Sequence, residues 1–214
     1  MALRQTATMT ADWRDGFLFV GNQLLLDFLN TRPVSDGTRV EWLPDFSAIL
    51  RWFQAAGLIN PAQATKLQRR WEHSAEGRRF VAFLQRFREG LREQVVVWER
   101  GGAVGPAAII ELNKLLAKQP MPIRLKPGPD GMSTEPYCEP QEPGDLMAPL
   151  AHAAAMLFAG VDHTRVRQCG GCVLHFHDTS KKGTRRWCSM RLCGNRLKVA
   201  AYAARQRRHD RGTH

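Results

Sequence analysis

The chain lacks long hydrophobic runs: no stretch reaches 18 uncharged apolar residues, roughly the shortest length that spans a membrane. The best candidate, 147–160, has 14 residues and contains His152, which predicts a buried helix and no membrane partner. The first 20 residues also lack an apolar run beside a small-residue cleavage site. We therefore expect no secretory signal and a cytoplasmic protein.

Catalytic signatures are missing as well. The sequence contains no phosphate-binding loop and no H-E-x-x-H motif, and no nucleophile can be placed beside a base and an orienting group. These absences predict that the protein is not an enzyme. With 43% hydrophobic and 24% charged residues, the 214-residue chain has an ordinary globular composition, which excludes a disordered or fibrous protein.

Acidic residues are scarce in one part of the chain. From Thr164 onward there are 13 Lys and Arg residues but only two acids, Asp178 and Asp210. Residues 1–163 carry 18 basic and 18 acidic residues, so the whole net charge of +11 lies in 164–214. A neutral body and a basic module predict two domains, 1–163 and 164–214, and a polyanionic partner such as nucleic acid. A solubilising charged tail is the alternative.

Four of the five cysteines have the spacing C-x2-C-x15-C-x4-C: Cys169, Cys172, Cys188 and Cys193. In a cytosolic chain this paired spacing favours a metal site over disulfide bonds. Four thiolates complete the tetrahedral shell of structural zinc and leave no open position for catalysis, which predicts one structural Zn²⁺ per chain. An iron–sulfur cluster, or a ligand set that includes His175 or His177, is the alternative. Cys138 is left without an assignment.

Local signals predict a mainly α-helical body with a short β hairpin. We expect a frayed segment over 1–14, a short strand over 17–20, and a hairpin or loop around 123–131. Capping side chains, helix-starting prolines and apolar residues at spacings of three and four predict the helices. They cover 23–30, 42–56, 61–73, 74–98, 106–118 and 146–158.

The basic module is predicted to be a small zinc finger that consists of a turn, a short hairpin and a long helix. The segments 173–176 and 185–188 are expected to pair as strands, and Ser189 to cap a helix over 190–208. A helical wheel places Cys193 on one face, with small and apolar residues. The opposite face carries Arg191, Asn195, Lys198, Tyr202, Arg205 and His209.

Two motifs resemble a known protein family. The string R-W-C-S-M-x-x-C-G-N-R-x-K over 186–198 resembles the CGNR zinc finger. The string G-x-x-L-x-L-D-F-x-N-T over 21–31 resembles the start of the ABATE domain, which precedes that finger in the family. The resemblance implies a bacterial, stress-linked transcription regulator in which the four paired cysteines bind zinc.

Nine side chains of the module are candidates for contacts with nucleic acid. Lys and Arg are typical of phosphate contacts, and Asn195 and Arg196 are of the types that recognise adenine and guanine edges. Either of these two could instead support the zinc ligands through hydrogen bonds. The nine candidates are Lys181, Lys182, Arg185, Arg186, Arg191, Asn195, Arg196, Lys198 and Arg205.

In the body, Asp27 and Asn30 are polar residues within an apolar helix and share one side of it. They are candidates for lining a pocket that binds a small-molecule effector. A buried cap or a hydrogen-bonded network is the alternative.

These observations predict a zinc-binding transcription regulator that contacts duplex DNA, with a body that senses a ligand or forms a homodimer. Two other functions stay open. One is an RNA-binding protein in which Phe176, Trp187 or Tyr202 stacks on bases. The other is a zinc-stapled module whose basic face binds an acidic protein.

Overall fold

The computed structural model describes residues 12–35, 37–129, 131–195, 198, 199 and 202 of the chain. Within this part, α-helices dominate, and the strands form separate two-stranded antiparallel pairs. The predicted fold class, mainly α-helical with short hairpins, is therefore confirmed. No helix among these residues combines the length and the apolar character needed to cross a bilayer.

The helices begin where the sequence offers a capping side chain or a proline. Asp45 accepts a hydrogen bond from the amide of Ala48 (2.7 Å), and Ser74 caps a later helix in the same way. Asn60 and Gln63 form a reciprocal capping box. Because these bonds are local, the predicted helices agree with the structure to within a few residues. The described α-helices are α1 Leu24–Leu29, α2 Phe46–Ala55, α3 Pro61–Trp71, α4 Ala75–Trp98, α5 Pro106–Lys118 and α6 Met147–Gly160.

The core of the body forms around α1, which packs against α4 and α6. Every residue of α1 from Leu25 to Leu29 is buried. Trp52 of α2 is fully buried, and its ring lies 5.6 Å from that of Phe28 and 5.3 Å from that of Phe53. Burying a large apolar side chain contributes about 1.5–3 kcal/mol, so this cluster is a main source of stability.

Two hairpins of the body have an Asp-Gly step between their strands in the sequence, at 15–16 and 36–37, and a third has a Pro-Asp step at 129–130. In the first, Asp15 (φ 46°) and Gly16 (φ 79°) both adopt the left-handed conformation that two-residue hairpin loops require. The prediction of a frayed segment over 1–14 is therefore wrong for Trp13 and Arg14, and the second hairpin was not predicted. The pairs are β1 Trp13–Arg14 with β2 Phe17–Leu18, β3 Val34–Ser35 with β4 Thr38–Arg39, and β5 Ile123–Gly128 with β6 Gly131–Pro136.

The strand pairing of the basic module differs from the prediction. Its two strands are β7 Val166–Gln168 and β8 His175–His177, which pair in antiparallel fashion. Residues 185–188 are all described and form no strand. The amide of Arg185 donates to the carboxylate of Asp178 (2.8 Å) and is not available to a sheet. The predicted pairing of 173–176 with 185–188 is therefore wrong.

The predicted helix over 190–208 begins after Ser189, whose hydroxyl accepts hydrogen bonds from the first amides of the turn. This first turn, Met190–Gly194, is π-helical. Further helical residues in the described part are Asn195, Lys198, Val199 and Tyr202. Arg196 and Arg205, two of the predicted contact residues, lie outside the described residues.

A second hydrophobic cluster joins the module to the body. Leu18 and Val20 pack there with Leu174, Phe176 and three of the paired cysteines. Trp42 contacts both this cluster and the main core. The module therefore lies on the segment that leads into α1. The division into two domains at residue 163 stays a prediction, and a test of it must account for this shared cluster.

Candidate metal centre and basic face

The Sγ atoms of the four paired cysteines lie within 4.8 Å of one another. The Sγ–Sγ distance is 3.4 Å between Cys172 and Cys188, and 3.7 Å between Cys188 and Cys193. Tetrahedral zinc with Zn–S bonds of about 2.3 Å needs Sγ–Sγ distances of about 3.8 Å. None of the four cysteines forms a disulfide bond with a described residue, and three of them are buried. The residues therefore fit one structural Zn²⁺ held by four thiolates, as the spacing predicts.

The close approach of the four thiols affects how readily each of them ionises. Hydrogen bonds from neighbouring sulfur atoms lower the pKa of Cys169. The hydrogen bond with Cys169 in turn raises the pKa of Cys172 to about 12. The same proximity raises the pKa of Cys188. One ionised thiol thus suppresses the ionisation of its neighbours, and Zn²⁺ removes this obstacle because it binds the thiolate form. Metal binding by these thiols therefore releases protons.

The turn that carries Cys169 and Cys172 is shaped by close packing against Trp187. A Cβ atom at Gly170 would lie 3.2 Å from the Trp187 ring, and one at Gly194 would lie 3.2 Å from the same ring. The left-handed residue of this turn is Val173 (φ 57°). A side chain at Gly170 would therefore fit tightly against the indole ring, which bridges the two halves of the metal centre.

The histidines of β8 face the body and not the metal centre. Nδ1 of His175 lies 3.1 Å from the carboxylate of Glu99, just after α4. Nδ1 of His177 lies 3.3 Å from the side-chain amide of Gln23. The cluster of potential metal ligands contains the four cysteines alone among the described residues, so the alternative ligand set with a histidine is not the arrangement found.

Asp178 organises the loop over 179–184. Its carboxylate is fully buried and accepts hydrogen bonds from the amides of Ser180 (2.9 Å) and Arg185 (2.8 Å). Burial alone would raise the pKa of Asp178, but the hydrogen bonds from the side chain and amide of Ser180 and from the amide of Arg185, together with the positive charge of Arg167, outweigh burial and lower the pKa. Arg165 donates to the carbonyl oxygens of Asp178 (3.3 Å) and Ser180 (2.9 Å). The loop is therefore held at both ends.

Seven of the nine predicted nucleic-acid contacts are described. Arg185 is half-buried: its Nε donates to the carbonyl oxygen of Trp187 (2.7 Å), and its guanidinium lies 4.9 Å from the Phe176 ring centroid. Arg186 lies over the Trp187 ring at 5.2 Å. The exposed candidates are Lys181, Lys182, Arg186, Arg191, Asn195 and Lys198.

Asp27 and Asn30 are buried, and both make internal hydrogen bonds. Asp27 accepts from the amide of Gly21 (2.7 Å), and burial raises the pKa of its carboxyl group to about 7. The side chain of Asn30 pairs with both backbone groups of His175, each at 2.9 Å. These contacts form the kind of buried hydrogen-bonded network that was the alternative to a ligand pocket.

The sequence did not single out Arg100 and Arg167 as functional. Together with Arg185 and Arg186 they line a cleft beside the end of α4, and neither Asp27 nor Asn30 is among its lining residues. Arg167 could have been noticed, since it precedes the first cysteine pair within the basic module. No sequence signal connects Arg100 to that module, because only the fold brings them together.

Comparison with protein families gives two matches. A model named ABATE, described as "Putative stress-induced transcription regulator", matches residues 22–161. A model described as CGNR zinc finger matches residues 165–206. Neither description is that of an enzyme. A search among curated proteins found no match.

Proposed function

The chain belongs to the ABATE family and carries a CGNR zinc finger, and from this premise we propose that it is a transcription regulator whose zinc-stabilised module binds duplex DNA. The ABATE description supports the regulatory role. The surface of the module supports contact with DNA.

The observation that carries this proposal is the uncompensated positive charge of the module. Its described acid, Asp178, is buried and occupied by backbone amides. In the body, by contrast, arginines such as Arg88 are paired with glutamates. Four exposed side chains of the module form no salt bridge with a described carboxylate: Lys181, Lys182, Arg186 and Lys198. Such a surface attracts a polyanion.

The metal centre supports DNA binding by fixing two exposed segments relative to each other. When bound, Zn²⁺ crosslinks the turn after β7 to the start of the C-terminal helix. The loop over 179–184 and Arg186 then contact phosphates on one side, and Lys198 contacts them on the other. In this proposal Asn195, which is exposed on the same helix, reads a base edge.

In this proposal the body controls the module, either by sensing a ligand or by forming a homodimer. The support is the direct contact between α1 and β8 and the two hydrogen bonds between Asn30 and His175. A ligand or a second subunit that displaces α1 would displace β8, and with it the metal centre.

Fluorescence anisotropy with the zinc-loaded full chain and labelled duplexes, selected from a random-sequence library, tests DNA binding. If roughly five phosphates are neutralised, the logarithm of affinity should fall with the logarithm of salt concentration at a slope of about −4.5. Arg86→Ala, which removes an exposed arginine of α4, should leave the affinity unchanged and controls for net charge. A slope near zero would remove nucleic acid as the partner.

Competition distinguishes the other two functions. Phe176 is fully buried and cannot stack on a base, so RNA stacking would depend on Trp187 and Tyr202. Stronger binding of single-stranded RNA than of duplex DNA would replace our proposal with RNA binding. Displacement of the duplex by an acidic polypeptide at far lower concentration than by RNA would favour the protein-interaction module.

A further inference from the structure

A cleft of about 640 Å³ separates the end of α4 from the basic module. Arg100 lines it from the body, and Arg167, Arg185 and Arg186 line it from the module. Among its described lining residues the one carboxylate is Glu99, which lies against His175. The cleft is therefore strongly positive, and its volume is in the range of cavities that hold small organic ligands.

The arginines of the cleft have unused hydrogen-bonding capacity. None of the four forms a salt bridge with a described carboxylate. The Nε of Arg167 is buried without a hydrogen-bond partner in the described part of the chain, although the same guanidinium donates to the carbonyl oxygen of Gly183 (2.7 Å). The charge of Arg167 interacts with the buried carboxylate of Asp178, but its Nε is left without an acceptor among the described residues. A buried donor without an acceptor is unfavourable, which favours an acceptor in the cleft.

We propose that this cleft binds a phosphoryl group. Guanidinium groups match the oxygens of phosphate in a planar, two-pronged geometry, and several of them together favour a dianion over a single carboxylate. Arg167 would donate through its unpartnered Nε, and Arg100 would close the site from the body. The phosphoryl group belongs either to a phosphorylated small molecule, which is a dianion, or to the DNA backbone, which is a singly charged diester; both present non-bridging oxygens that accept hydrogen bonds from guanidinium groups.

The cleft lies where the body meets the module, so a ligand bound in it can affect DNA binding by the module. Arg185 and Arg186 belong both to the cleft and to the predicted DNA contacts. A free phosphorylated ligand in the cleft would therefore compete with DNA for two arginines. The anion site itself requires no DNA, whereas this competition rests on the proposed function.

Isothermal titration of the zinc-loaded full chain with inorganic phosphate, and separately with adenosine monophosphate, tests the site at low ionic strength. We expect saturable binding at one site per chain. Arg100→Ala and Arg167→Lys should each weaken it by about 10- to 150-fold, the effect of losing one charge-assisted hydrogen bond. Arg100 is exposed and contributes no described hydrogen bond to the module, so its replacement tests the cleft without disturbing the metal centre.

Arg86→Ala is the matched control, because Arg86 is an exposed arginine of α4, the helix that ends two residues before Arg100, and does not line the cleft. Weakening by Arg100→Ala and Arg167→Lys but not by Arg86→Ala supports the site. An equal effect of all three variants would show general charge attraction and overturn it.

Duplex DNA as a third titrant separates the two sources of the phosphoryl group. If free phosphate binds and releases DNA in the wild type but not in Arg100→Ala, the source is a small molecule. If the variants weaken duplex binding while free phosphate does not bind, the source is the DNA backbone. If the variants change neither, the proposal is wrong. Absence of duplex binding by the wild type would refute the proposed function alone, since phosphate titration measures the cleft independently.

Discussion

Asn30→Ala removes two hydrogen bonds that join the body to the module. The side chain is fully buried; its amide group donates to the carbonyl oxygen of His175, and its oxygen accepts from the amide of the same residue, both at 2.9 Å. Alanine would leave a buried donor and a buried acceptor without partners, at about 1–3 kcal/mol each. We therefore expect the free energy of unfolding to fall by about 2–6 kcal/mol.

Gln23→Ala is the control for this prediction. Gln23 also contacts β8, through a distance of 3.3 Å between its Nε2 and Nδ1 of His177, but it is half-buried and water can replace it. Its loss should cost less than about 1 kcal/mol. Urea unfolding of both zinc-saturated variants, followed by circular dichroism, measures the difference. Equal losses in the two variants, at equal zinc content, would refute the argument that burial makes Asn30 important.

Three further predictions concern the metal, the pH dependence of stability and the recognition of DNA. Elemental analysis should find one zinc per chain in the wild type and in Cys138→Ser, whose thiol lies outside the cluster, but not in Cys188→Ser; iron in place of zinc would contradict this. Burial raises the pKa of Asp27 to about 7, so its contribution to stability is complete below about pH 3.8 and is lost as the pH rises through 7. The stability of Asp27→Asn relative to the wild type should therefore increase by about 2.5 kcal/mol between pH 5 and pH 8, and an unchanged difference in urea unfolding would disprove the shift. In anisotropy titrations, Lys198→Ala should weaken all duplexes alike and flatten the salt slope by about 1. Asn195→Ala should instead cost about 1–3 kcal/mol at one base position with the slope unchanged, and equal loss on every sequence would exclude base recognition by Asn195.

Elements that depend on neighbouring residues could be predicted from the sequence. The capping bonds of Asp45 and Asn60 form within one turn, so the helix starts follow from the residue types. The metal centre follows from the spacing of its cysteines. The Asp-Gly steps, such as Asp15-Gly16, are equally local signals, and giving them weight would have predicted the first hairpin.

Contacts between distant segments could not be predicted in this way. The strand at 185–188 was expected because it follows a turn, but the buried carboxylate of Asp178 holds the amide of Arg185 and prevents pairing. Asn30 makes its hydrogen bonds to the backbone of β8, far along the chain, and residue types alone do not predict such a contact. The cleft likewise depends on Arg100 and Arg167 being brought together by the packing of the module on the body.

The second cluster also sets an order for folding during synthesis. Asn30 and His175 are separated by 145 residues, which a ribosome adding about 5–20 residues per second needs roughly 7–30 s to make. For that time the nascent chain presents Leu18 and Val20 without the module that covers them. The segment before α1 is thus made early and buried late, because the residues that cover it are among the last to be synthesised.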